Sequence, residues 1–259
     1  MKPPAALLAL LLLLAPGCDG EEEAGAWRTL PAAGFTLWYQ APDAARADAF
    51  LHYGSTGKTV VEAFFERRVD SFTLHLYPDR PALTAYWRQA WGQPTLVPEC
   101  WMIASGDRRG VAMLSPGVWR AQACGHDPDD ADHVERIVAH EIVHVLHRQT
   151  NGASVGSHIP QWLWEGLAVY ASGQLNARAR ADVKAAVERG SVPARLDHIM
   201  AAPNGYALAG SLVGYLDVAY GRDRTRALLH VTSQAELLDG LGLSEDTLMA
   251  RWQAYVGTY

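Results

Sequence analysis

Basic residues are few in this sequence, and lysine is especially rare. The 259 residues include 22 lysines and arginines against 28 aspartates and glutamates, which gives a net charge of −6 at pH 7. The lysines are Lys2, Lys58 and Lys184 alone. Proteins that bind nucleic acid through its phosphates carry a basic surface. The composition therefore argues against a nucleic-acid partner.

Long hydrophobic runs are also scarce, and one stands at the N-terminus. Ala5–Ala15 is an uninterrupted run of eleven alanines and leucines that follows Lys2. This length is typical of the core of a signal peptide and is too short for a membrane-spanning helix. The run ends in Ala15-Pro16-Gly17-Cys18, which resembles a bacterial lipobox.

We therefore predict that residues 1–17 are a lipoprotein signal peptide and that Cys18 carries a lipid. Cleavage by an ordinary signal peptidase and an uncleaved anchor are the alternatives. Residues 18–30 contain three consecutive glutamates and would form a flexible acidic tether. The expected location is the bacterial cell envelope, on its periplasmic or surface face, with the protein anchored to the membrane by the lipid.

Cysteine is the third scarce residue, and Cys100 and Cys124 are the two that remain beside Cys18. Two cysteines at this spacing do not make a cysteine-ligated zinc site. An export signal places both in an oxidising compartment, so we expect a disulfide between them. Two separate buried thiols are the alternative.

The rest of the chain has the composition of a globular domain, with 49% hydrophobic and 19% charged residues. Its N-terminal half carries alternating strand patterns at Phe35–Tyr39 and Ser71–Tyr77, and a hairpin is predicted from Trp101–Ala104 and Val111–Leu114. Helices are expected over residues 42–65, split near Gly54–Gly57, and over residues 81–91.

From Asp130 onward every segment has a helical pattern. We therefore predict one α+β domain over residues 31–259, a strand-bearing half followed by an all-helical half. After a first helix that ends at Thr150-Asn151-Gly152, the predicted helices are Pro160–Ser172, Arg178–Glu188, Tyr206–Tyr220, Asp223–Ser233 and Ser244–Tyr259.

The first of these helices contains His140-Glu141-Ile142-Val143-His144. The two histidines lie one turn apart, about 6 Å along the axis and within about 40° around it, so both imidazoles can reach one cation. Glu141 is rotated by about 100° from His140 and suits a general base acting on the attacking water. The alternative is an ordinary pair of helical histidines. Three ionisable side chains in an apolar helix are costly without a partner, which favours the cation.

A catalytic zinc site has three protein ligands, so a third residue is needed. A metzincin is excluded, because His147 and Thr150 stand where its motif has glycine and histidine. Glu165 is the favoured candidate, since it is the one acid in the apolar helix from Pro160 to Tyr170, with an alternative role in balancing the helix dipole. The small residues beside it would let this helix pack closely on the motif helix. His158 is a further candidate, and His147 either lines the cleft or is a solvent-facing or capping histidine near the end of the helix.

Together with Trp162-Leu163-Trp164-Glu165-Gly166-Leu167-Ala168, the motif resembles the gluzincin metallopeptidases, and more narrowly the bacterial peptidase MA-like domains. The resemblance implies a thermolysin-like fold, Zn²⁺ bound by His140, His144 and Glu165, and Glu141 as general base. It also implies a cleft under an edge strand, placed by analogy near Val111–Leu114. That segment lacks the glutamate with which the aminopeptidase branch grips a substrate amino group, so an endopeptidase is favoured.

In many gluzincins a tyrosine or histidine of the helical half donates to the substrate oxyanion. Tyr206 is the best-placed tyrosine for this role, with Tyr170 and Tyr215 as rivals and a packing role for Tyr206 as the alternative. The expected function is an exported zinc metallopeptidase that hydrolyses a peptide or protein substrate. The alternatives are a zinc-binding lipoprotein without turnover and a protein with purely structural zinc.

Overall fold

The computed structural model describes residues 25–152 and 159–259. The predicted signal peptide, Cys18 and residues 18–24 of the predicted tether lie outside these ranges, and so does His158. No helix within the described ranges is long and apolar enough to cross a membrane.

A five-stranded sheet forms the N-terminal half, with the strands in the order β1-β2-β3-β5-β4. The three central strands run parallel, and each outer strand is antiparallel to its neighbour. β1 begins at Arg28, opposite Tyr39, so residues 28–30 of the predicted tether belong to the sheet. The strands are β1 Arg28–Ala32, β2 Phe35–Tyr39, β3 Phe72–Tyr77, β4 Ala104–Gly106 and β5 Gly110–Leu114.

The predicted split in the first helix does not occur. A 3₁₀ segment at Ala41–Arg46 leads into one continuous helix, α1 Ala47–Phe65. Gly54 and Gly57 lie within α1 at positions where a side chain would collide with a neighbour. A Cβ on Gly54 would lie 2.5 Å from the ring of Phe35, and a Cβ on Gly57 would lie 3.1 Å from Ala139. The glycines allow α1 to lie close to both the sheet and the helix that contains Ala139.

A hairpin is present as predicted, but its first strand, Ala104–Gly106, overlaps the predicted arm Trp101–Ala104 only at Ala104, and the edge strand was misassigned. β4 starts at Ala104 and pairs with β5 only, whereas β5 lies between β3 and β4. The edge strand is therefore β4 rather than Val111–Leu114. β5 pairs with β3 along its full length, so β4, which precedes β5 in the chain, lies on the outer side of β5.

The C-terminal half is helical, and no strand follows Leu114 in the described part of the chain, so the predicted α+β layout is confirmed. The predicted helix over residues 223–233 is shorter than expected: an α-helix covers Arg222–Ala227 and a 3₁₀ segment continues to His230. A helix that was not predicted follows at Gln234–Leu241, where Ser233 caps the N-terminus by accepting a hydrogen bond from the backbone N–H of Glu236. The remaining helices are α2 Arg80–Ala90, α3 Trp119–Gln122, α4 Ala131–Asn151, α5 Gln161–Ala171, α6 Ala177–Glu188, α7 Gly205–Tyr220, α8 Arg222–Ala227, α9 Gln234–Leu241 and α10 Glu245–Val256.

Helix α4 is the central element of the fold. It contacts α1, strands β4 and β5 of the sheet, and α5 of the helical half. Its N-terminus is capped by Asp130, whose carboxylate accepts from the backbone N–H of His133. It ends before Gly152, which has a φ of +80° that favours glycine. The helix ends at Thr150-Asn151-Gly152 as predicted, and the two caps fix which residues occupy the buried middle turns.

Candidate metal site

The middle of α4 is buried on all sides, from Ile137 to His147. Among these residues His140, Glu141 and His144 are only 5 to 7% exposed. Their side chains nevertheless line a cavity of about 990 Å³ between the edge strand β4 and the helices α5 and α7. Buried ionisable groups need partners, so their surroundings decide what they can do.

The nearest partner is Glu165, which α5 brings to the two histidines. Glu165 Oε2 lies 3.1 Å from His140 Nε2 and 3.3 Å from His144 Nε2, and the two Nε2 atoms are 3.1 Å apart. These three residues form the one group of candidate metal ligands found in the described residues. Three potential ligand atoms thus meet at one point.

The spacing of these atoms fits a small tetrahedral cation. Zinc binds imidazole nitrogen and carboxylate oxygen at about 2.0–2.2 Å, which places neighbouring ligands of a tetrahedron roughly 3.3–3.6 Å apart. The observed separations of 3.1 to 3.3 Å are close to that range. Two imidazoles and one carboxylate are also a ligand set found in catalytic zinc sites. The side chains present therefore fit a zinc ion.

The charges of the cluster support one another. Burial acts to raise the pKa of Glu165, but the charges and hydrogen bonds of His144 and His140 outweigh it and hold this pKa well below its usual range. Burial acts to lower the pKa of His140, and the hydrogen bond to Glu165 together with the charge of Glu141 outweighs it, so the pKa of His140 is raised. The carboxylate of Glu165 is accordingly ionised and available as a ligand.

Glu141 stands beside the cluster without being part of it. Burial raises the pKa of its carboxyl, while the charges of His140 and His144 and the backbone N–H of Gly106 oppose that rise. Its Oε2 atom is buried and has no hydrogen-bond partner among the described residues. A carboxylate oxygen is thus free at the edge of the metal-ligand set, within the cavity.

Tyr206 reaches the same cavity from the other side, at the start of α7. Its ring centroid lies 6.2 Å from that of His140 and 6.1 Å from that of Trp101, which projects from the loop before β4. The rival tyrosines are elsewhere: Tyr170 donates to Asp217, and Tyr215 packs against Tyr255. Of the three candidates, only Tyr206 lines the cavity.

The sequence model of the peptidase MA superfamily matches residues 110–258, which is more than half of the chain. The chain belongs to the peptidase MA superfamily. No curated protein matches it. The matched region of this peptidase MA protein contains α4 and α5, and hence the whole cluster of His140, His144 and Glu165. The predicted family is confirmed.

His147 has a position in the peptidase MA domain that differs from both sequence interpretations. It is fully buried and neither lines the cavity nor caps α4 at the surface. Its ring stacks on one face of Trp164, at 4.6 Å, while His144 stacks on that indole at the same distance. His147 is therefore a core residue of this site and not one of the three clustered ligand atoms.

The close packing of α5 also has a different partner from the one expected. A Cβ on Gly166 would lie 2.6 Å from the carbonyl oxygen of Ala209, so α5 packs tightly on α7 and not only on α4. The sequence correctly identified a small residue at a helix contact. It could not say which helix makes the contact, because α7 is some forty residues away along the chain.

Two residues at the site were missed by sequence reasoning. Gln174 Oε1 lies 2.8 Å from His140 Nδ1, and Gly106 touches Glu141 and His144 from β4. The available signal for Gln174 was weak: a glycine, Gly173, follows the end of α5 and reverses the chain. Gly106 lies in the loop that was predicted to join the hairpin strands.

The predicted disulfide is present. Cys100 and Cys124 are bonded, with their Cα atoms 5.4 Å apart. The bond joins the loop before β4 to the segment that precedes α4, and both segments line the rim of the cavity at Trp101 and His126. His126 additionally interacts with the carbonyl oxygen of Trp101 at 2.9 Å. This rim is held by covalent and polar contacts.

Proposed function

We propose that this peptidase MA protein is a zinc-dependent metallopeptidase that hydrolyses peptide bonds, with Zn²⁺ held by His140, His144 and Glu165. The observation that carries the proposal is the meeting of three ligand atoms within 3.3 Å of one another, beside the free carboxylate oxygen of Glu141. The cluster lies in a cavity of about 990 Å³, which is large enough for several residues of a peptide.

Each side chain then has a separate task. A bound zinc ion would supply polarisation of the scissile carbonyl and a lowered pKa of the attacking water. Glu141 takes the proton from that water and delivers it to the nitrogen of the leaving amine. Its raised pKa brings the carboxylate closer to the working pH, which suits a group that must both accept and release a proton.

Tyr206 is our candidate for the donor to the substrate oxyanion. Partial desolvation in the cleft, together with the charges of Glu165 and Glu141, raises the pKa of its phenol. The hydroxyl therefore keeps its proton at neutral pH and can donate a hydrogen bond. Such a donor stabilises charge that develops on the carbonyl oxygen.

An endopeptidase is favoured over an aminopeptidase by the acids of the cleft. Beyond Glu141 and Glu165, the one acid that lines the cavity in the described part of the chain is Asp182, which is exposed on α6. Asp107, near the end of β4, already accepts from Tyr86 and from the backbone of Arg109. Neither offers a buried carboxylate that would grip a substrate amino group.

We further propose that the protein acts outside the cytoplasm and is tied to the membrane through a lipid on Cys18. The lipobox-like Ala15-Pro16-Gly17-Cys18 supports the anchor. The disulfide of Cys100 and Cys124 supports an oxidising compartment, because such bonds are rare in the cytosol.

The test compares two glutamates with different tasks. Glu165→Ala should lose both zinc and hydrolysis. Glu141→Gln should keep near-stoichiometric zinc, while its hydrolysis of a mixed peptide library falls by about 10²–10⁴-fold, as expected for a lost general base. Glu135→Gln is the matched control on α4, because this side chain pairs with His52 near the surface and should change neither quantity.

Two results would contradict the proposal. Hydrolysis by Glu141→Gln at the rate of the parent protein would exclude Glu141 as the base. A parent protein that binds zinc and cleaves nothing in the library would favour the alternative, a zinc-binding lipoprotein without turnover.

A further inference from the structure

The two histidines of the metal cluster differ in what holds their rings in place. Each presents Nε2 to the cluster, so each must keep that nitrogen free of a proton in order to bind a metal. In a neutral imidazole the proton then resides on Nδ1, and the partner of Nδ1 decides which tautomer and which ring orientation are favoured. The surroundings of the two Nδ1 atoms are therefore informative.

His140 has a polar partner at Nδ1. Its Nδ1–H donates to Gln174 Oε1 over 2.8 Å. Gln174 is the first residue after the left-handed Gly173, and its own backbone N–H donates to the carbonyl oxygen of Val169. The turn at the end of α5 thus returns the chain to α4 and holds the amide where it meets His140.

His144 has no such partner. Its Nδ1 is buried and makes no hydrogen bond with any residue in the described ranges. Its ring instead lies flat on the indole of Trp164, with 4.6 Å between centroids and 4° between planes. The ring of His147 also stacks on this indole, with 4.6 Å between centroids, and the guanidinium carbon of Arg148 lies 5.1 Å from the indole centroid. Trp164 is therefore itself held in place.

Both contacts come from the element that also supplies the third ligand. Trp164 immediately precedes Glu165 in α5, and Gln174 follows the end of that helix. The position of α5 is set by the close contact of Gly166 with Ala209 of α7. One helix and its C-terminal turn thus contribute a ligand atom and touch both imidazoles.

We propose that Gln174 and Trp164 are the positioning residues of the metal site: Gln174 fixes the tautomer and ring of His140 by accepting from its Nδ1–H, and Trp164 fixes the ring of His144 by stacking. The inference rests on the ligand set of the proposed function and does not depend on peptidase activity. Residues that orient a ligand in this way typically change metal affinity by 10–100-fold when they are removed.

The experiment measures the dissociation constant for zinc by competition with a chelator, in the full-length protein and in paired variants. Gln174→Met keeps the length of the side chain but has no strong acceptor, and it should weaken zinc binding by about 10–100-fold. Gln174→Glu keeps an acceptor oxygen and should stay within about threefold of the parent, clearly below the 10–100-fold range of a lost partner. Gln161→Met, at a cavity-lining glutamine of α5 that has no contact with His140, is the control and should leave the constant unchanged.

The second pair tests the stack. Trp164→Phe keeps an aromatic face against His144, whereas Trp164→Leu removes it. We expect Trp164→Leu to weaken zinc binding by about tenfold or more, and Trp164→Phe to weaken it clearly less. The stability of each variant to urea in the presence of a chelator shows whether it still folds without metal.

The outcomes separate this inference from the proposed function. If the parent protein binds no zinc, the ligand set itself is wrong. If the parent binds zinc and Gln174→Met binds it equally well, Gln174 does not position His140. If Gln174→Met and Gln174→Glu weaken binding to the same extent, with equal losses of metal-free stability, Gln174 has only a structural role and the inference fails. Likewise, if Trp164→Leu and Trp164→Phe weaken zinc binding to the same extent, with equal losses of metal-free stability, Trp164 has only a structural role.

Discussion

The contact between Gly106 and α4 gives a sharp test of the geometry of the site. Gly106 ends the edge strand β4, and a Cβ at this position would lie 2.2 Å from the backbone carbonyl oxygen of Glu141 and 2.8 Å from Cβ of His144. A carbon atom approaches a carbonyl oxygen to about 3.3 Å at closest in ordinary contacts. Gly106→Ala therefore requires β4 and α4 to separate by about 1 Å beside Glu141 and His144.

Two magnitudes follow from this displacement. Forcing a methyl group into a packed contact costs about 1–3 kcal/mol of unfolding free energy. A shift of about 1 Å in a catalytic group can lower the rate by about 10²-fold. We therefore expect Gly106→Ala to be folded but less stable than the parent, with a much larger loss in kcat/KM than the loss of stability alone would cause.

The assay combines urea unfolding, zinc content and kcat/KM on one peptide substrate. Gly240→Ala is the matched control, because Gly240 lies in α9 with open space around it and the same substitution should stabilise the protein by about 0.5–1 kcal/mol. Gly106 has no side chain that could bind a metal or transfer a proton. Any loss of activity in Gly106→Ala must therefore come from the changed spacing of β4 and α4. Parent-like stability and kcat/KM in Gly106→Ala would refute the close packing of β4 on α4.

Two further predictions concern a buried histidine and the N-terminus. Burial lowers the pKa of His147 to about 3, with further lowering by the charges of His144, Arg148 and His230. Between about pH 6.5 and pH 3, His147 is protonated in the unfolded chain but neutral in the folded chain. The contribution of His147 to the free energy of unfolding is therefore complete above pH 6.5 and decreases as the pH falls. Between pH 7.5 and pH 5, the free energy of unfolding of the metal-free parent should fall by about 2 kcal/mol more than that of His147→Met. Parallel pH profiles of stability for the two proteins would contradict this. Cys18→Ser should release the protein from the membrane or cause its misprocessing, and an intact mass that shows an unmodified terminus after residue 18 in the parent would exclude the lipid anchor.

Sequence periodicity predicted helix α4 correctly because its information is local. The spacing of four between His140 and His144 sets their geometry through the helical repeat alone. The caps at Asp130 and Gly152 likewise depend on neighbours within a few residues. The α+β layout followed in the same way from alternating patterns early in the chain and helical patterns later. The position of Glu165 was inferred from one acid in an apolar helix, aided by the resemblance to a known family.

The errors concern elements whose environment is distant in sequence. Gly54 and Gly57 were read as helix breakers, yet they lie in α1 because Phe35 and Ala139 leave no room for side chains. The edge strand was assigned to residues 111–114, but strand order depends on which partners β5 finds, and β3 is one of them. Helix and strand propensities of single residues predict neither result, since tertiary contacts override them.

By itself the sequence determined which residues can bind a metal, since that depends on side-chain chemistry and on the regular geometry of one helix. Only the tertiary structure decided what surrounds them: which of the three candidate tyrosines lines the cavity, and the contacts of Gly106 from β4 and of Gln174 and Trp164 from α5 and its turn. The physical reason is range. Hydrogen bonding within a helix acts over four residues, whereas the orientation of an imidazole is set by whatever packs against it, however distant along the chain.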